Sequence, residues 1–153
     1  DAGFPAGVVN YLTNAPADAG TVVEAMVAHP AVRRPDRAPQ VAAWLRGKAE
    51  QDLFLSVITL GELERGIRQQ EVRDPAFARD LRMWLDRTAL LFSDRLLDFE
   101  AEDARIWGRL SAEIGHNGAD LMIAASALRH GAIVVTGNVS DFAPTRATVE
   151  NPF

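Results

Sequence analysis

Residues 132–136 read Ala-Ile-Val-Val-Thr, a β-branched run with no polar alternation. A strand of this kind is covered on both faces, which places it inside a parallel sheet flanked by helices. The preceding segment supplies one cover. Asp120 opens a stretch in which Leu121, Ile123, Ala124, Ala125, Ala127 and Leu128 are apolar, so this helix is expected to be buried over most of its surface. Gly131 suits the left-handed position that ends it. Gly137-Asn138-Val139-Ser140-Asp141 then lies beyond the carboxyl end of the strand, where open α/β sheets place their chemistry.

The same alternation recurs earlier. Pro39 leads into a helix with Val41, Trp44 and Leu45 on one face, and Gly47 to Asp52 is expected to be a loop. Leu53 to Ile58 reads as a buried strand, followed by a helix from Thr59-Leu60-Gly61-Glu62 through Leu63 and Ile67. Asp74-Pro75 restarts a helix carrying Phe77, Leu81, Trp84 and Leu85 at helical spacing. Leu90-Leu91-Phe92 and Arg95 to Phe99 are expected to frame another short strand. Ala101 to Ile114 is helical, with Ala104, Trp107, Leu110 and Ile114 on one stripe. Strands separated by helices predict a parallel α/β sandwich. The three tryptophans fall on apolar stripes, which favours core or dimer packing over base stacking.

At 153 residues the chain has the length of one domain with a real core. No apolar run approaches a membrane span and no charged-then-apolar leader is present, so a cytoplasmic location without membrane attachment is expected. The absence of cysteine excludes a disulfide scaffold and a thiol nucleophile. A net charge of −5 argues against a general polyanion binder, but not against an enzyme that gathers acids around a metal.

Three acids fall at the expected carboxyl edge: Glu62 after the Leu53–Ile58 strand, Asp120 at the start of its helix, and Asp141 after the Ala132–Thr136 strand. Converging carboxylates form a hard-oxygen site for Mg²⁺ or Mn²⁺, which lowers the pKa of a bound water and stabilises charge on a phosphate. Each acid also has a structural reading. Thr59-x-x-Glu62 fits a capping box, Asp120 is favoured by the helix dipole, and Asp141 after Asn138 could shape a turn. Arg65 and Arg68 could pair with acids along the helix or contact phosphate at its rim. His29, His116 and His130 lack ligand spacing to one another and read as surface or capping residues.

LFLSVITLGELERGI, GADLMIAASALRHGAIVVTGNVSDF and the closing NPF resemble PIN-domain ribonucleases of the VapC and FitB toxin type, over about residues 34–153. The resemblance implies a PIN-like α/β/α sandwich with a mainly parallel central sheet. It further implies that Glu62, Asp120 and Asp141 are metal-binding catalytic acids, with Thr136 and Asn138 as polar neighbours. Cleavage of RNA, dependence on Mg²⁺ (or Mn²⁺), a homodimer and inhibition by a small VapB-like antitoxin are implied as well.

The chain departs from that family at its start. Residues 1–34, with GFPAGVVN and VVEAMVAHPAVRR, resemble a cofactor-domain strand and helix of aldehyde dehydrogenases, and they stand where the family has a strand running into a metal-binding Asp-Thr-Asn. The dehydrogenase nucleotide loop and catalytic cysteine are absent, so that activity is not implied. The expected organisation is therefore a strand-helix segment over 1–34, replacing or appended to the first PIN strand, and a PIN-like domain over 35–153. If Val8 to Thr13 fills the place of the first strand, Thr13 or Asn14 falls near the lost aspartate, and Asp18 is the local acid available as a replacement ligand. Alternatively the segment packs peripherally. The functional expectation is a metal-dependent endoribonuclease toxin weakened by the missing acid; the alternative is a PIN-like module that binds antitoxin and dimerises without cutting.

Overall fold

The computed structural model describes residues 11–13, 39–48 and 50–152. In chain order these form β1 (Tyr11–Thr13), α1 (Pro39–Arg46), β2 (Leu53–Ser56), α2 (Val57–Arg73), α3 (Pro75–Leu91), β3 (Leu96–Leu97), α4 (Ala101–Ile114), α5 (Ala119–His130), β4 (Ile133–Val135), α6 (Val139–Phe142) and β5 (Val149–Glu150). Short 3-10 turns occupy Glu50–Asp52 and Ala143–Thr145. No helix among the described residues is long and apolar enough to cross a membrane.

The strand order is β3-β2-β1-β4-β5. β2 pairs in parallel with β3, and β4 in parallel with β5. β1 lies between the two pairs and runs antiparallel to both neighbours. Four strands therefore share one direction and the central strand opposes them. Tyr11 sits opposite Leu55 and Val135, the carboxyl ends of its neighbours, whereas Thr13 sits opposite Leu53 and Ile133 at their amino ends.

Helices cover both faces of the sheet, giving the expected α/β/α layering. On one face Leu53, Leu55 and Val135 pack with Phe92, with Trp44 of α1 and Leu91 against them. On the other, Val134 packs with Leu110 of α4, Ile123, Ala124, Ala125 and Ala127 of α5, and Phe142, with Phe54 and Trp107 alongside. Alternate residues of β2 and β4 thus serve opposite layers, the reason neither strand shows polar alternation. Trp84 is buried in a third cluster, within the α2–α3 pair. The tryptophans are packing residues, and Trp44 also donates its indole N–H to Glu150, over which Lys48 closes at 3.4 Å.

The Leu53–Ile58 strand is shorter than expected because a serine stops it. Ser56 is the N-cap of α2, its hydroxyl accepting from the Ile58 N–H at 3.2 Å. The helix therefore begins at Val57, and Glu62 is no partner of a Thr59 capping box. Ser56→Ala leaves that N–H without its cap and is expected to cost about 1 kcal/mol, read as a lower midpoint in urea unfolding with unchanged slope. Leu90 and Leu91 belong to α3, so only Leu96–Leu97 of the expected strand region is β.

Asp74 separates α2 from α3, and its carboxylate accepts from the Phe77 N–H at 3.0 Å ahead of Pro75 at the first helical position. Arg82 then ties the pair together, donating to Glu64 at 2.8 and 3.0 Å and to Glu71 at 3.0 Å. The hydrogen bond from Arg82 holds the Glu71 carboxyl below its ordinary value. Because the folded value is depressed, the stabilisation is present above the unfolded carboxylate pKa and is lost as pH falls through the folded one.

Candidate active site

The three predicted acids arise from three helices: α2, which leaves β2, α5, which leads into β4, and α6, which follows β4. Glu62 lies in the second turn of α2, which leaves β2 directly. Asp120 lies in the first turn of α5, whose far end feeds β4 through Gly131 at φ 61°. Asp141 lies in α6, which follows β4 after three residues. Asp120 complements the positive end of the α5 dipole.

Glu62 and Asp141 are held by neighbours close in sequence. Both Glu62 oxygens accept from Arg65 Nη1, at 3.0 and 3.2 Å, so the pairing reading of Arg65 is the one observed. Arg68 likewise pairs with Glu71. Asp141 accepts from the Asn138 side-chain amide and from Ser140 Oγ at 3.4 Å. Thr136, fully buried, accepts the Asn138 N–H on its hydroxyl at 3.1 Å while its own N–H donates to the Glu150 carbonyl at 3.0 Å. Thr136 and Asn138 thus shape the turn that presents Asp141.

Asp120 has two neighbours that sequence spacing alone left unremarked. His116 Nε2 stands 3.8 Å from its Oδ2, while His116 Nδ1 accepts the Gly118 N–H at 3.3 Å. In the neutral ring that bond fixes the tautomer, leaving the proton on Nε2, toward the carboxylate. Gly118 is the second: a β-carbon there would overlap Asp120 Oδ1 well inside van der Waals contact. The signals were a His-x-x-x-Asp spacing and a glycine two residues ahead of the acid.

A hard cation needs several oxygens aimed at one point. Among the described residues no group of three His, Asp or Glu side chains is arranged to hold a metal. The donor chemistry suits Mg²⁺ or Mn²⁺, but the described arrangement does not, and Glu62 and Asp141 are engaged with neighbours. β1 does not complete the set, because Thr13 sits at the opposite edge, contrary to the expectation from its place in the chain. Asn14, Asp18 and His29 lie outside the described residues.

The PIN domain family profile matches residues 21–143. The chain belongs to the PIN domain family. Toxin FitB of Neisseria gonorrhoeae is 30% identical over 126 residues, covering 78% of this chain and 89% of FitB. Ribonuclease VapC14 of Mycobacterium tuberculosis is 42% identical over 60 residues, a match that spans 39% of this chain and 58% of that protein. The crystal structure of FitAcB from Neisseria gonorrhoeae superposes with a TM-score of 0.67 at 28% identity, covering 85% of this PIN chain and 94% of the other. A short amino-terminal match of 34 residues is 62% identical to vanillin dehydrogenase of Pseudomonas fluorescens but covers only 7% of it, which bears out the dehydrogenase-like fragment. The PIN match begins at residue 21, so the likeness to PIN domains reaches into the segment set apart as 1–34.

Proposed function

We propose that this PIN protein is a toxin-type endoribonuclease, hydrolysing RNA phosphodiesters at the edge that carries Glu62, Asp120 and Asp141. It acts in the cytoplasm as a homodimer held in check by a small VapB-like antitoxin. The observation that supports the reading is that the three acids come from three helices joined directly to the co-directional strands β2 and β4. Glu62, Asp120 and Asp141 are the residues assigned to catalysis, with Asp120, less exposed than Glu62, taking the proton of the attacking water. The family's divalent cation would neutralise charge on the phosphate, but the described acids are not gathered around one point to hold it.

Cleavage of single-stranded and transfer RNA in the presence of Mg²⁺ or Mn²⁺ tests this. Asp120→Asn keeps the shape and removes the charge, and is expected to lower the rate about a hundredfold. Equal rates for the two chains would sink the proposal.

The unassembled acid cluster favours a second reading, a PIN module that binds antitoxin and dimerises but cuts weakly or not at all. It predicts antitoxin capture at full strength by a chain with no cleavage above that of Asp120→Asn.

A further inference from the structure

We infer that Glu150 is a positioning residue for Asp141: its side chain is anchored on α1, and its main chain holds the end of β4 from which the Asp141 turn departs. Its effect on cleavage rests on the ribonuclease reading, whereas its hold on the turn does not. Glu150 lies in β5, a two-residue strand at the margin of the sheet, in register with Val135. Among the described strands β5 has a neighbour on one side, so its place depends on β4 and on whatever grips its side chains. The grip comes from the layer of α1. One Glu150 oxygen accepts the indole N–H of Trp44, and the other accepts from the Lys48 ammonium at 3.4 Å. That ammonium also lies over the Trp44 ring, 4.7 Å from its centroid. Trp44 is in turn packed on the Leu53, Leu55, Phe92 and Val135 cluster. Bonds to a carboxylate are stronger than neutral ones, so the anchor is firm.

The main chain of the same residue carries the hold onward. The Glu150 carbonyl accepts the Thr136 N–H at 3.0 Å, one residue past β4, beside the bond from Val134 N–H to the Thr148 carbonyl at 2.8 Å. Thr136 is fully buried, and its hydroxyl accepts the Asn138 N–H at 3.1 Å. The Asn138 side-chain amide donates to Asp141, and Ser140 Oγ joins Asn138 Oδ1 at 3.1 Å to Asp141 at 3.4 Å. An unbroken series of hydrogen bonds thus runs from α1 through Glu150 to the acid. A contact that served only to fasten α1 would leave the Asn138–Asp141 bond untouched when cut.

The test reads the Asn138 side-chain amide in the ¹H–¹⁵N spectrum of the full chain, for Glu150→Ala, Glu150→Gln and Trp44→Phe. Trp44→Phe keeps an aromatic ring in its packing and removes the donor; Glu150→Gln keeps an oxygen for the indole. The expected result is a displaced Asn138 signal in Glu150→Ala and in Trp44→Phe, with Glu150→Gln near the unaltered chain. RNA cleavage should follow, kcat falling about tenfold with KM within about twofold, and no further in the double variant, because both changes cut one bond. An Asn138 signal unmoved in both variants overturns the inference. Trp44→Phe decides alone if Glu150→Ala does not fold. If the unaltered chain cleaves no RNA, or Asp141→Asn cleaves as well as it does, the ribonuclease reading of this acid fails and the Asn138 signal decides the inference. Where Asp141→Asn does abolish cleavage, an unchanged kcat in the two variants overturns the inference.

Discussion

Asp103→Ala is expected to destabilise the fold by about 2–3 kcal/mol, seen as a fall of roughly 5–10 °C in the thermal midpoint. Asp103 is fully buried in the first turn of α4. Its Oδ2 accepts the Glu100 N–H at 2.7 Å and the Arg129 guanidinium at 2.6 Å. Arg129 stands in the last turn of α5 and also pairs with Glu100, so one buried oxygen joins the start of α4 to the end of α5. Removing it leaves a donor at the α4 terminus without its partner and a guanidinium deprived of its buried anion. The full cost of breaking a buried pair is about 3–5 kcal/mol, and the figure here is lower because the Arg129 side chain is 24% exposed and keeps some water. Asp103→Asn, which can still accept from Glu100, should lose less. A midpoint unchanged in the alanine variant would show that the α4–α5 packing holds without this link.

Gly118→Ala is expected to lower RNA cleavage about a hundredfold, approaching Asp120→Asn, while leaving the thermal midpoint within a few degrees. The backbone at Gly118 is an ordinary extended one, φ −62° and ψ 163°, so alanine meets no torsional penalty there. The obstacle is the Asp120 carboxylate, whose Oδ1 occupies the place a methyl group would take. The carboxylate must rotate away, and with it the orientation that His116 faces at 3.8 Å. Displacements of about an ångström are enough to cost two orders of magnitude in a positioned catalytic group. A variant with normal cleavage would mean that Asp120 tolerates a second rotamer or does not act on the substrate. A large fall in the midpoint would mean that Gly118 serves the helix start instead.

Legibility in the sequence followed the range of the interactions concerned. The bounds of Ala101–Ile114 were readable because the terminal glycine, Gly115 at φ 90°, is local, although Ala104 of the expected stripe is exposed and Ile106 packs in its stead. Asp74-Pro75 and Gly131 were readable for the same reason. The start of α2 was misplaced by two residues because Ser56 and Thr59 are both competent caps, and only the backbone path of β2 selects the first. Of the site, the elements that carry the three acids were legible from element order: Glu62 in the helix after β2, Asp120 in the helix before β4 and Asp141 in the helix after it. Their bonds to Arg65, Asn138 and Ser140 depend on rotamers, which spacing does not determine. The orientation of β1 was beyond reach for a deeper reason. A three-residue strand has a side-chain period of two in either direction, and nothing within Tyr11–Thr13 distinguishes one sense from the other.

The central position of β1 also has a kinetic consequence. Its ladder partners lie in Leu53–Leu55 and in Ile133–Val135, so the middle of the sheet closes by contacts between opposite ends of the chain. The β4-β5 pair, which sets Val134 beside Val149, can form from near neighbours first, whereas β1 reaches β4 only by bringing Leu12 to Val134. Until β1 docks, β2 and β4 each present a row of unpaired main-chain donors and acceptors next to apolar side chains. Non-local closures are slow, and open edges of that kind are templates for pairing with other chains. The half-assembled sheet is thus the stage at which this protein is most exposed to aggregation during synthesis and refolding.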